Sequence, residues 1–81
     1  MADRRLQVFA TVARLLSFTK AAEALHMTQP AVTFQIRQLE DYFNTRLFDR
    51  TDNRLSLTSA GHLVKGYSDQ ILSLYSEMDN E

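Results

Sequence analysis

The side chains best equipped to recognise a ligand lie between Ser17 and Arg54. Gln29 carries an amide that donates and accepts, the pattern that pairs two hydrogen bonds with adenine N6 and N7. Thr33, four residues on, offers a hydroxyl and a methyl. Pro30 and Ala31 offer small apolar surfaces of the kind that meets a thymine methyl. Three roles are open to Phe34: stacking on a sugar or thymine methyl, packing on a neighbouring loop, or standing exposed. Lys20 and Arg37 flank this group and can reach phosphates, as can the hydroxyls of Ser17 and Thr28. Arg50 and Arg54 suit phosphates or a minor-groove edge. Arg50 is equally able to pair with Asp49, Asp52 or Glu40 and merely hold its own loop.

The same chain offers little else. It has no cysteine, hence no disulfide and no thiolate metal site, and its two histidines cannot hold zinc alone. No carboxylate or second histidine stands three or four residues after His26 or His62, so both are expected to be structural or solvated. No nucleophile–base arrangement and no glycine-rich phosphate loop is present. The expectation is a non-enzyme without a cofactor.

These groups need a scaffold, and the pattern supplies helices. Two glycines and one proline in 81 residues are too few turn residues for an all-β domain. Leu6, Phe9, Val12, Ala13 and Leu16 step by three and four, one stripe of a helix over roughly 4–16. Thr19 then caps a short helix from Lys20 to about Leu25, with Ala22 and Leu25 inward and a run of small residues, Ala21, Ala22 and Ala24. After His26-Met27, Thr28 caps a third helix that runs to about Phe43 with Pro30 in its first turn. Val32, Ile36, Leu39 and Phe43 form its core stripe, and Pro30, Thr33, Phe34, Arg37 and Asp41 fall on the other side. Leu47–Arg50 and Arg54–Leu57 read as two short strands joined by Thr51-Asp52-Asn53, with Leu55 and Leu57 facing one way. Thr58 caps a last helix that could run nearly to Glu81. Two helices with a tight connection, the second outward-facing at its start, make a helix-turn-helix, and the hairpin makes it winged.

Several linked motifs now point one way. Ser17-Phe18-Thr19-x-Ala21-Ala22-x-x-Leu25, then Thr28-Gln29-Pro30-Ala31-Val32-Thr33-x-Gln35-Ile36-x-x-Leu39-Glu40, Leu47-Phe48-x-Arg50 and Leu57-Thr58-x-Ala60-Gly61 occur in that order. This resembles the DNA-binding domain of LysR-type transcriptional regulators over about residues 4–65. The resemblance implies a winged helix-turn-helix over 1–57 and a linker helix over 58–81 that pairs two subunits. It also implies an effector-binding domain that lies outside these 81 residues. Two departures stand out. Family members often carry a basic residue where this chain has Phe34. The usual leucine-glycine pair is here Phe43-Asn44, and asparagine tolerates the left-handed conformation that a helix end wants.

The last helix carries Leu63, Tyr67, Ile71, Leu74 and Met78, with Val64 and Tyr75 alongside. Steps of four, four, three and four make a seam. At about 35 Å the helix outruns a body whose radius of gyration would be about 10 Å, so a partner helix is expected over its distal half. Gly66, inside it, permits a close helix approach or a slight bend. The dimer-interface expectation is Leu63, Tyr67, Ile71, Leu74, Tyr75 and Met78.

Charge is divided in the same way. The net value is −1, yet residues 1–54 hold eight basic and six acidic side chains, while 55–81 hold one and four. The longest apolar run is three residues, too short to span a membrane, and no export signal is visible. The expectation is a cytoplasmic protein that binds an interrupted inverted repeat of double-stranded DNA as a homodimer, with a tetramer open to the full-length protein. The rival is a helical module that binds another protein through the same outward face.

Overall fold

The computed structural model describes residues 4–80. Helices α1 (Arg4–Leu15), α2 (Phe18–Leu25) and α3 (Gln29–Phe43) are followed by strands β1 (Phe48–Thr51) and β2 (Arg54–Leu57) and by helix α4 (Ser59–Asp79). The strands form one antiparallel hairpin in which Phe48 faces Leu57 and Thr51 faces Arg54. The fold class is as expected: mainly helical, a three-helix core with a two-stranded wing and a long final helix.

The core collects Phe9, Val8 and Val12 of α1, Ala21 of α2, and Val32, Ile36 and Leu39 of α3, with Leu47 and Phe48 at the hairpin base. The Phe48 ring lies 5.3 Å from that of Phe9 and 5.9 Å from that of Phe18. These contacts fix the wing to α1 and α2, because tilted and edge-on aromatic pairs gain beyond simple burial.

Thr28 and Thr58 cap as expected: their hydroxyls accept the amides of Ala31 at 3.2 Å and Gly61 at 3.0 Å. Other expectations need correction. Helix α2 starts at Phe18, capped by Ser17 and not Thr19; Ser17 Oγ accepts the Lys20 amide at 3.0 Å. Leu16 is not core. It is left-handed, with φ 50°, and 45% exposed, because the chain must turn there between α1 and α2. Leu6 is only half-buried, and Val8 takes a place in the core that the stripe had not included. Ala24 is exposed, whereas Ala22 and Leu25 face inward as expected, Ala22 buried and Leu25 half-buried against the core. Phe43 is 42% exposed: its ring meets Tyr42 edge-on and borders a groove that Leu6, Leu63 and Tyr67 also line, so it sits at the edge of the core and not inside it. Strand β1 begins one residue later than expected and includes Thr51, leaving a two-residue turn. Asp52 and Asn53 both have positive φ, 53° and 62°, the backbone twist that matches a hairpin.

Helix α4 packs its first half on the body. Gly61 and Ser68 are buried, and Ala60 and Val64 pack against the core. An added Cβ on Gly61 would lie 2.1 Å from the Leu47 carbonyl oxygen, so only glycine permits this approach. The distal half projects, and the molecule extends 44 Å by 26 Å by 19 Å.

Candidate nucleic-acid interface

The start of α3 is where the sequence placed the reading groups, and the fold leaves it open. Gln29, Pro30, Thr33, Phe34 and Arg37 line one shallow depression on its outer side. Gln29, Pro30 and Phe34 are exposed, and Ala31 and Thr33 are half-buried. The threonine cap holds this turn in place, and Pro30 at the second helical position loses no hydrogen bond there.

A second depression joins it. It is lined by Ser17, Thr19, Gln29, Arg50 and Asn53, among others. The start of α2, the first reading residue of α3 and the wing thus share one rim. The Thr19 hydroxyl lies 3.5 Å from Gln29 Oε1, a long contact that orients the amide. Sequence reasoning had not included Thr19 in the site: ten residues separate it from Gln29, and only the crossing of α2 and α3 joins them. Ser17 and Thr28 each accept one capping amide, and each hydroxyl keeps a proton to donate to a phosphate oxygen.

A third depression, between α3 and the wing, holds Thr33, Arg37, Arg46 and Arg50. Among the described residues no ion pair forms at the Arg50 guanidinium. The suggested pairing with Glu40 is taken by Arg46, whose Nε lies 4.0 Å from the Glu40 carboxylate. Glu40 also accepts the Leu47 amide at 2.9 Å. This carboxylate, 18% exposed, ties the end of α3 to the entrance of the wing. Arg46 was missed because nothing local marks it. Arg54 is exposed beside the turn, opposite Thr51, and Lys20 is exposed in the first turn of α2.

Elsewhere, the described residues contain no group of three metal-ligating side chains and no helix long and apolar enough to cross a membrane. His26 serves as the left-handed C-cap of α2, with φ 55°, and His62 is exposed in α4. Leu63, Tyr67, Ile71, Leu74 and Met78 are 38–64% exposed along α4, while Tyr75 is half-buried.

An outward-facing second helix, a threonine-capped reading turn and an arginine-bearing wing on the same rim define a winged helix-turn-helix DNA-binding domain. The comparisons agree. Residues 4–62 match the family described as bacterial regulatory helix-turn-helix protein, lysR family. The RuBisCO operon transcriptional regulator of Allochromatium vinosum is 49% identical over 76 residues, 94% of this chain and 25% of that protein. A LysR-family transcriptional regulator from Eggerthella lenta, seen in a crystal structure, is 42% identical with a TM-score of 0.79, covering 83% of this chain and 96% of that one. The BenM_DBD/catB site 1 DNA complex superposes with a TM-score of 0.91 at 34% identity, covering 99% and 90%. This chain belongs to the lysR family of bacterial regulatory helix-turn-helix proteins and corresponds to their DNA-binding domain. It spans about a quarter of the length of the curated relatives it matches.

Proposed function

We propose that the chain reads a specific double-stranded DNA sequence as a homodimer, with α3 in the major groove and the wing on the flanking backbone or minor groove. Gln29, Pro30, Ala31, Thr33 and Phe34 face base edges. Ser17, Lys20, Thr28, Arg37, Arg50 and Arg54 hold the backbone. The observation that carries this reading is the shared rim: Gln29 touches the depression that also holds Ser17 and Arg50. Base-reading and phosphate-holding groups then engage one duplex together.

The dimer rests on α4. Leu63, Tyr67, Ile71, Leu74 and Met78 leave a continuous apolar stripe facing solvent, a liability in a monomer. Two such stripes bury each other about a two-fold axis, with Tyr75 at the edge, and two-fold symmetry in the protein calls for an interrupted inverted repeat in the DNA. In this reading residues 1–57 read DNA and 58–81 join subunits. An effector domain elsewhere in a longer protein governs the response and any tetramer, the protein acts in the cytoplasm, and DNA binding needs no cofactor.

Selection of bound sequences from random duplexes, followed by salt titration and sedimentation, tests this. A single preferred inverted repeat, affinity that falls steeply with salt as counterions are released, and a dimer are expected. Salt-independent binding to a protein with no duplex selected would establish the protein-interaction alternative instead.

A further inference from the structure

Phe34 stands two residues from Val32 and two from Ile36, about 160° round the helix axis from each. Both of those side chains are buried, so Phe34 points directly away from the core. It is 59% exposed, although an aromatic ring of this size gains most from burial. Its neighbours in the outer depression are Gln29, Pro30, Thr33 and Arg37. Pro30, one turn earlier, extends the same apolar surface. When α3 enters a major groove, its outermost side chains come nearest the floor. There the base edges present hydrogen-bond donors and acceptors, and one apolar group, the thymine C5-methyl. A phenyl ring has no donor or acceptor. Against cytosine or guanine it would cover polar atoms and leave them unpaired, which is unfavourable. Against thymine it covers a methyl.

Resting on the DNA-binding reading above, we propose that Phe34 is a specificity-determining residue that selects thymine by its C5-methyl group. The requirement is for the methyl and not for a hydrogen bond, so the discrimination survives where base pairing is unchanged and only the methyl is removed.

Selection from random duplex pools, one made with thymidine and one with deoxyuridine, reads this directly. The preferred duplex from the first pool is then resynthesised with deoxyuridine at single positions. For the unmodified chain, one position in each half-site should lose about fourfold in affinity, the value for one buried carbon converted at tenfold per 1.4 kcal/mol. In Phe34→Ala that sensitivity disappears while the duplex is still bound and other positions keep their preference. If Phe34→Ala and the unmodified chain lose equally on methyl removal, another group reads the methyl and the proposal is overturned. Uniform indifference to deoxyuridine overturns it as well, with DNA binding intact. If the unmodified chain selects no duplex at all, the DNA-binding reading fails and this proposal with it. Because Phe34 is solvent-facing, its replacement leaves the fold unaltered, and circular dichroism of the variant verifies this.

Discussion

The two glycines of α4 allow one substitution to be tested with opposite signs. At Gly61 an added Cβ would sit 2.1 Å from the Leu47 carbonyl oxygen and 2.9 Å from Leu57 Cδ2, where ordinary contact begins at 3.4 Å. Backbone on both sides must therefore move by about 1 Å. That carbonyl accepts the Thr58 amide at 3.0 Å, and Thr58 donates its hydroxyl to the Arg46 carbonyl at 2.6 Å. Lifting the first turn of α4 disturbs both. Overpacking costs about 1–3 kcal/mol and a strained or lost hydrogen bond about 0.5–1.5 more, so Gly61→Ala should destabilise by about 1–4 kcal/mol after a small helix-propensity gain. At Gly66 nothing lies within 4 Å of the added Cβ. The helix interior there should gain about 0.5–1 kcal/mol on Gly66→Ala. For a domain of this size about 1 kcal/mol moves the melting point about 4–8 °C, so the two variants should bracket the parent widely. Thermal and urea unfolding followed by circular dichroism, at one fixed protein concentration, measures both shifts, since dimerisation makes the midpoint concentration-dependent. Equal stability of Gly61→Ala and the parent would refute the close approach of α4 to Leu47. A loss on Gly66→Ala confined to the dimer would show that a partner helix uses Gly66 for close contact, since no other element among the described residues approaches it.

Four further outcomes are expected. Ile71→Asp combined with Leu74→Asp should give a folded monomer by sedimentation, with apparent affinity for the full repeat lowered about 10²-fold through lost linkage; a persisting dimer would place the interface elsewhere. Gln29→Ala should lower affinity for the preferred duplex by about 1–3 kcal/mol and relax one base pair, and an equal loss on random duplexes would remove Gln29 from base reading. Arg50→Ala and Arg54→Ala should each weaken binding to most sequences alike and flatten the salt dependence by about one counterion per subunit; an unchanged slope would assign that arginine to the wing alone. Leu16→Gly should change stability by less than about 1 kcal/mol, since relief of a left-handed leucine is offset by the added freedom of the unfolded chain and the lost contacts of its covered half, and a large fall in the urea midpoint would show that its side chain packs more than its 45% exposure suggests.

The features legible in the sequence were those with local causes. Thr28 and Thr58 cap their helices through amides three residues away, and the three- and four-step spacing of Val32, Ile36 and Leu39 is the period of the helix itself. The outward face of α3 followed directly, because the side opposite a buried stripe needs only the helical angle. Tertiary packing decided the rest. Leu16 becomes left-handed because two helices must cross within a few residues, not because leucine prefers that region. Ser17 and Thr19 are both good caps, and the choice of Ser17 leaves the Thr19 hydroxyl to reach Gln29 across the α2–α3 crossing. Phe43 continues a perfect stripe but is 42% exposed, since how far along α3 the core covers that stripe is set by the packing of other elements and not by the helical period. Likewise Glu40 meets the Leu47 amide and Arg46, and the wing arginine reaches the rim, only after the hairpin folds back on α3. Periodicity and caps are properties of a segment and can be read along it. Which segment ends meet, and which polar groups are thereby paired or left for a ligand, depends on contacts between residues far apart in the chain.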